Sequence, residues 1–203
     1  EAMQKAEVLV HDFVLAGFTK IHLDTSMKLA DDGEVLLTET IAQRGIRLMK
    51  VCEEAYLKRK AVYPEALLPV YIIGSEVPIP GGAQEVEEGL EVTKVDDFKH
   101  TVEVYQALMD KEGLSSVFER VLAVVVQPGV EFSDASVHEY NPLKAKELVD
   151  SLSNYPTLVF EGHSSDYQTK FGLKQMVSDS IAILKVGPAL TFAIREGLFA
   201  LAR

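Results

Sequence analysis

The chain has 203 residues, 47% hydrophobic and 25% charged, with 13 Gly, 8 Pro and one Cys, the proportions of an ordinary globular domain, which exclude collagen-like, low-complexity and disordered classes. Twenty Lys plus Arg against 31 Asp plus Glu leave a net charge of −11, which repels nucleic acid and anionic lipid. No apolar run reaches the roughly 18 uncharged residues of a membrane span, no signal-peptide core opens the chain, and the lone Cys52 can form neither an internal disulfide nor a cysteine-based zinc site, so the composition fits a reducing cytoplasm.

In chain order, residues 1–16 predict a helix closed by Gly17, and 19–23 a first strand. A helix follows over 38–58, with Thr38 as its expected N-cap and Ile41, Leu48 and Ala55 repeating by sevens. The apolar run 70–74 is the second strand. Asp96 and Asp97 open a helix over 96–112 that Gly113 closes, in accord with the helix dipole. Strand 121–126, helix 143–153, strand 157–160, helix 168–178, strand 181–186 and helix 188–202 complete the chain. Nearly continuous apolar strands alternating with helices predict an α/β fold whose parallel strands are buried on both faces. A doubly wound sheet and a closed (β/α)8 TIM barrel both satisfy right-handed crossovers, and a spacing of about 40 residues per unit favours the barrel. About five βα units are visible, so the expectation is one TIM-barrel domain over 1–203 that is part of a longer chain.

In either architecture ligands meet the C-terminal ends of the strands. There the sequence places His22, Asp24, Thr25 and Ser26; then Gly74, Ser75 and Glu76; then Gln127, Pro128, Gly129 and Glu131; then Glu161, His163, Ser164, Ser165 and Asp166; and finally Lys185 and Gly187. Carboxylates with His163 suit a divalent cation, because imidazole and carboxylate are its usual ligands. They equally suit a structural set in which Asp24 caps a turn, Glu76 pairs with Lys185 and His163 is a hydrogen-bonded core histidine. His22, inside its strand, reads as structural. Gly81, Gly82 and Gly129 allow close approach of a phosphate, and Ser164 and Ser165 precede a helix, where they could contact a phosphate or act as caps. There is no GxxxxGK[ST] loop, no GxSxG elbow, no kinase-like HRD and no GxGxxG after a strand. Cys52 has no neighbouring His in sequence and reads as a small packing residue.

Five segments together resemble one family: AGFTKIHLD at 16–24, IGSEVPIPGG at 73–82, VVQPGVEF at 125–132, GHSSDYQT at 162–169 and ILKVGPALTF at 183–192. The family is the non-catalytic subunit of class II D-tagatose 1,6-bisphosphate aldolase, whose members also carry the label tagatose-6-phosphate kinase. The resemblance implies a TIM-barrel subunit that forms an oligomer with a zinc-dependent catalytic aldolase subunit. It would be needed for that partner's full activity and stability in galactitol or amino-sugar catabolism. Laid on the catalytic pattern, His163 falls on a zinc-binding His, Pro128 replaces another, Glu76 falls on the Glu of the catalytic subunit's Glu-Leu-Gly motif, Gly187 replaces a substrate-holding Asn, and Asp166 replaces a phosphate-binding Ser. A proline cannot bind metal, and loss of an imidazole ligand weakens a zinc site. The resemblance therefore implies no catalytic residue and no cofactor in this subunit, with zinc in the catalytic partner. It leaves a vestigial sugar-phosphate pocket around Asp24, Ser26, Glu76, Gly129, Ser164, Ser165 and Lys185, and a residual metal pair, His163 and Glu76. The alternative is an enzyme in its own right, a tagatose-6-phosphate kinase or an aldolase whose metal is held by Glu76, Asp24 and Glu131.

Overall fold

The computed structural model describes residues 1–75 and 90–203. Glu76 and the Pro/Gly run at 78–82, singled out above, lie outside the described residues. The chain falls into two compact units: Glu1–Ser75 with Asp96–Val124, and Glu76–Val95 with Val125–Arg203.

The first unit carries α1 (Ala2–Ala16), β1 (Lys20–His22), α2 (Thr38–Val62), β2 (Val70–Ile73), α3 (Val95–Lys111, from Asp96 onward), the short α4 (Ser115–Phe118) and most of β3 (Val121–Val126). β1 pairs in parallel with β2, placing Ile21 opposite Tyr71, and β2 with β3, placing Ile73 opposite Val124. Ile72, Ile73 and Val124 are buried, as strands covered on both faces require. Along α2 the buried stripe Ile41, Gly45, Leu48, Cys52 and Ala55 holds helical spacing. Gly45 is small for a packing reason, since a Cβ there would stand 2.8 Å from the Tyr105 hydroxyl of α3.

Both ends of α2 differ from the sequence expectation. Leu37, not Thr38, precedes the first turn of α2, and its carbonyl takes the N–H groups of Thr40 and Ile41 without any side-chain cap. The same helix runs on to Val62 and stops at Tyr63, which stands before Pro64 and adopts φ −122°, ψ 89°, because a residue preceding proline is driven out of the α region. Gly17 closes α1 as expected, at φ 101°, donating to the carbonyls of Phe13 and Val14.

Polar groups tie these elements together. Arg120 donates to the Glu53 carboxylate and to the Pro69 carbonyl, while the Tyr71 hydroxyl donates to the other oxygen of Glu53. Arg44 forks onto both oxygens of Asp32, which also accepts from the Leu29 N–H at 2.7 Å. The Arg44 hydrogen bond, seconded by Leu29, lowers the Asp32 carboxyl from 3.8 to about 2.

The second unit carries the end of β3, a hairpin of β4 (Glu131–Phe132) and β5 (Val137–His138), α5 (Pro142–Ser151) followed by a 3-10 turn (Leu152–Asn154), β6 (Val159–Gly162), α6 (Lys170–Ser178), β7 (Ile181–Leu184) and α7 (Pro188–Leu201). β6 and β7 are parallel, with Phe160 opposite Ile181 and Gly162 opposite Leu184. Asn141 caps α5 ahead of Pro142, and Thr169 caps α6 through a 3.0 Å bond from the Gly172 N–H. α5 and its 3-10 turn cover the predicted 143–153 helix, and α6 starts two residues after the predicted 168. β6 begins two residues later than the sequence suggests and continues through Glu161 and Gly162. The hairpin was not expected. Its strands are two residues long, too short for a periodic pattern, and its turn is built by the Ser133 hydroxyl accepting from Ala135 and Ser136. The α/β class is therefore observed in both units, as parallel strands alternating with helices. No helix among the described residues is long and apolar enough to cross a membrane.

Two outcomes follow from the first unit. A carboxyl lowered by folding contributes stability that is fully present above its unfolded value and is lost as pH falls through the folded one. The denaturation midpoint should thus decline between about pH 4 and pH 2 more steeply in the wild type than in Asp32→Asn, measured by urea titration at each pH. Burial pushes the Cys52 thiol up to about 12. Iodoacetamide at pH 8 should leave Cys52 unmodified in the folded protein and alkylate it after denaturation, as read by mass spectrometry.

Candidate functional site

The polar side chains of the second unit gather beyond the C-terminal ends of its strands. Residues i and i+2 of an extended chain face the same way, and Glu161 and His163 meet as such a pair at the end of β6. The His163 Nε2 lies 2.9 Å from Glu161 Oε1, with His163 5% and Glu161 1% exposed. With Glu161 ionised the carboxylate can only accept, so the imidazole would then donate through Nε2 and, when neutral, carry its lone pair on Nδ1. Gly162 sits between them because nothing larger fits: a Cβ there would stand 2.9 Å from Ile181 Cγ2 and 3.4 Å from Pro128 Cγ.

The loop after β6 is fastened group by group. Ser164, at φ 53°, donates its hydroxyl to Glu131 Oε2 at 3.1 Å, and Glu131 Oε1 accepts from the Phe132 N–H at 2.8 Å. Ser165 donates to the Lys185 carbonyl at 3.0 Å, and the Lys185 N–H returns to the Gly162 carbonyl at 2.9 Å. Asp166 accepts from the N–H groups of Gly187 and Ala189. Tyr167, at φ 61°, sets its ring edge-on to Phe132 at 5.5 Å. Gln168 spans to the hairpin, accepting from the Tyr140 N–H at 3.0 Å and donating to the His138 carbonyl at 2.8 Å. Two non-glycine residues in the left-handed region within four positions are a cost that the surrounding contacts hold in place. Tyr140 in turn donates its hydroxyl to Asp179 at 2.8 Å, and burial followed by this bond raises its phenol.

The turn after β3 is closed in the same way. Gly129, at φ 86°, gives its N–H to Gln127 Oε1 at 2.8 Å, and Val130 gives its own to the same oxygen at 3.0 Å. Thr93 Oγ1 accepts from the Gln127 N–H at 2.8 Å.

Of the residues expected to form a pocket, Gly129, His163, Ser164, Ser165 and Lys185 thus lie in the second unit. Ser164 and Ser165 cap no helix, because Thr169 caps α6 and their hydroxyls are bound to Glu131 and to the Lys185 backbone. Asp24 and Ser26 lie in the first unit and hold each other. Asp24 Oδ1 accepts from the Ser26 N–H at 3.1 Å and from its hydroxyl at 2.7 Å, the turn that the sequence allowed. His22 is half-buried in β1, and Thr25 donates to the Ile41 carbonyl of α2 at 2.8 Å. Glu161, which hydrogen-bonds His163, was placed at the strand end by the sequence but not named as a pocket or metal residue, although its two-residue spacing within a strand carries the signal. Glu161 and His163 offer oxygen and nitrogen donors of the kinds that zinc accepts. A metal between these two atoms would have to replace their mutual hydrogen bond.

Residues 1–203 match the family model described as D-tagatose-1,6-bisphosphate aldolase subunit GatZ/KbaZ-like. The chain belongs to this family. A crystal structure described as a probable tagatose 6 phosphate kinase from Sinorhizobium meliloti 1021 matches with 43% identity and a TM-score of 0.81, over 98% of this chain. The chain spans 46% of the length of that structure. The family agrees with the resemblance carried by the five segments.

The close approach at Gly162 gives a direct test of the β6–β7 packing around the Glu161–His163 pair. Gly162→Ala should cost about 1–3 kcal/mol, the range for forcing an extra methyl into a packed interior. Urea denaturation of the variant and the wild type reads this difference, and an unchanged midpoint would refute the packing described.

Proposed function

We propose that this chain is part of the non-catalytic subunit of a class II tagatose 1,6-bisphosphate aldolase, binding and stabilising a zinc-dependent catalytic subunit. The single observation that carries the reading is the family match over residues 1–203. The chemistry of the described residues is consistent with it. Position 128 is a proline, which offers no metal ligand, and the hydroxyls of Ser164 and Ser165 and the N–H of Gly129 are bound within the chain. Groups already paired in a buried setting bind a substrate only by giving up those partners, which costs free energy.

In this reading the chain supplies about five βα units of a (β/α)8 barrel, and the subunit holds no cofactor while its partner holds the zinc. The ends of β6 and β7, with Ser164, Ser165 and Lys185, form part of a vestigial sugar-phosphate pocket. The pair expected from sequence, His163 with Glu76, is what remains of a metal site. The setting is cytoplasmic sugar catabolism of galactitol or amino-sugar type.

The second reading, an enzyme in its own right, is favoured by the description of the matched structure as a kinase of tagatose 6-phosphate and by the buried Glu161–His163 pair. One set of assays separates the two. Tagatose 1,6-bisphosphate cleavage is followed with the full-length protein, the catalytic subunit and their mixture, and ATP consumption is followed with tagatose 6-phosphate. The helper reading requires no turnover by the protein alone, and in the mixture a raised rate and a raised melting temperature of the catalytic subunit. Turnover by the protein alone that His163→Ala abolishes would replace it with the second reading.

A further inference from the structure

Residues 164–168 are tied from two sides. Toward the hairpin, Ser164 donates to Glu131 Oε2, the Tyr167 ring stands edge-on to Phe132, and Gln168 bridges the Tyr140 N–H and the His138 carbonyl. Toward β7 and α7, Ser165 donates to the Lys185 carbonyl, and Asp166, 2% exposed, accepts from the Gly187 N–H at 3.1 Å and the Ala189 N–H at 2.9 Å. The two left-handed residues stand where the chain changes sides. Ser164, at φ 53°, comes just before the pair that meets β7 and α7, and Tyr167, at φ 61°, just after it.

A non-glycine residue stays in the left-handed region only while its surroundings hold it there, and leaving that region is downhill once they let go. Ser164 and Tyr167 are themselves two of the hairpin ties. A change of φ at either one turns Ser165 and Asp166 away from their partners, because these two residues lie between them in the chain. The hairpin, for its part, is a separate sheet of two strands, each two residues long, and residues 134–139 of it are exposed. A hairpin of that size has little stability of its own, so it depends on residues 164–168 as much as they depend on it.

We propose that residues 164–168 are a strap coupling the exposed hairpin β4–β5 to the first turn of α7, a two-state element whose ties to both sides are made and lost together. Whatever displaces the hairpin from outside then frees the Gly187 and Ala189 amides. Loss of the α7 ties likewise frees the hairpin, because a coupling free energy acts equally in both directions. The strap needs neither a catalytic subunit nor a sugar, so it stands or falls apart from the proposed function.

Amide hydrogen exchange of the full-length protein, read at single residues by NMR, tests the strap. In the wild type Tyr140, Gly187 and Ala189 should share one degree of protection, since one opening frees them all. Gln168→Ala removes a tie on the hairpin side only, yet should speed Gly187 and Ala189 by about tenfold, the scale of one lost hydrogen bond. Glu131→Gln keeps the shape of its side chain and should act in the same direction, deciding the matter if Gln168→Ala does not fold. Asp166→Asn weakens the α7 side and should speed Tyr140 and also Ser133, whose N–H is held by the Ser136 carbonyl, by a similar factor. Ala145, bonded to the Asn141 carbonyl in α5, should keep its wild-type rate throughout. Unchanged Gly187 and Ala189 in a folded hairpin-side variant would overturn the proposal, as would an unchanged Tyr140 in Asp166→Asn. Ala145 speeding up with the rest would overturn it too, since the variants then only lower the stability of the whole unit.

Discussion

A polar group buried at the end of a strand must find a partner or forfeit the free energy of its lost hydration. In the second unit this requirement shapes almost everything beyond β6. The strand ends on a carboxylate and an imidazole that hydrogen-bond each other, and the following loop bends twice into the left-handed region. It thereby brings Ser164 to Glu131, Ser165 to the Lys185 carbonyl and Asp166 to the first turn of α7. The backbone strain at Ser164 and Tyr167 is the cost of meeting several such requirements within six residues. The hairpin β4–β5, small as it is, supplies Glu131, Phe132 and the His138 carbonyl that hold the loop in place.

This inward pairing bears on function. Sites that bind phosphate esters keep donors aimed at where the ligand will lie, whether backbone N–H groups, hydroxyls or a lysine. Here Gly129, Ser165, Gly187 and Ala189 bring donors of those kinds to strand ends and helix starts, and the chain spends them on its own side chains and carbonyls. This inward pairing is consistent with the helper role proposed for the chain, which belongs to an aldolase-subunit family. The first unit is arranged for packing, with the Glu53 carboxylate linking Arg120 to Tyr71 and Gly45 admitting Tyr105.

The α/β class and the placing of every long helix were legible in the sequence because apolar periodicity and capping residues are local signals. Gly17, Gly113 and Pro188 marked ends that the structure also shows. The end of α2 was misplaced because its last turn lacks a glycine, and the stop comes from Pro64 acting on the residue before it. The hairpin was hidden by the brevity of its strands. At the site, the sequence correctly put His163, Ser164 and Ser165 beyond a strand, but it could not say which hydroxyl would meet which acceptor. Ser165 reaches a carbonyl 20 residues away, Ser164 a carboxylate 33 residues away and Asp166 amides 21 and 23 residues away. Such pairings are set by tertiary approach and leave no local pattern. The Glu161–His163 pair is different, since alternation along a strand places both on one face, and β6 was expected to stop one residue short of Glu161.

The account rests on the strand-end groups of the second unit being committed to one another. A crystal structure of the full-length protein grown with tagatose 1,6-bisphosphate examines this most directly. The account predicts no sugar phosphate at the ends of β6 and β7, with the Glu161–His163 and Asp166–Gly187 bonds intact. A sugar phosphate seated there, with Asp166 turned away from α7 and the Ser165 hydroxyl on a phosphate oxygen, would contradict it.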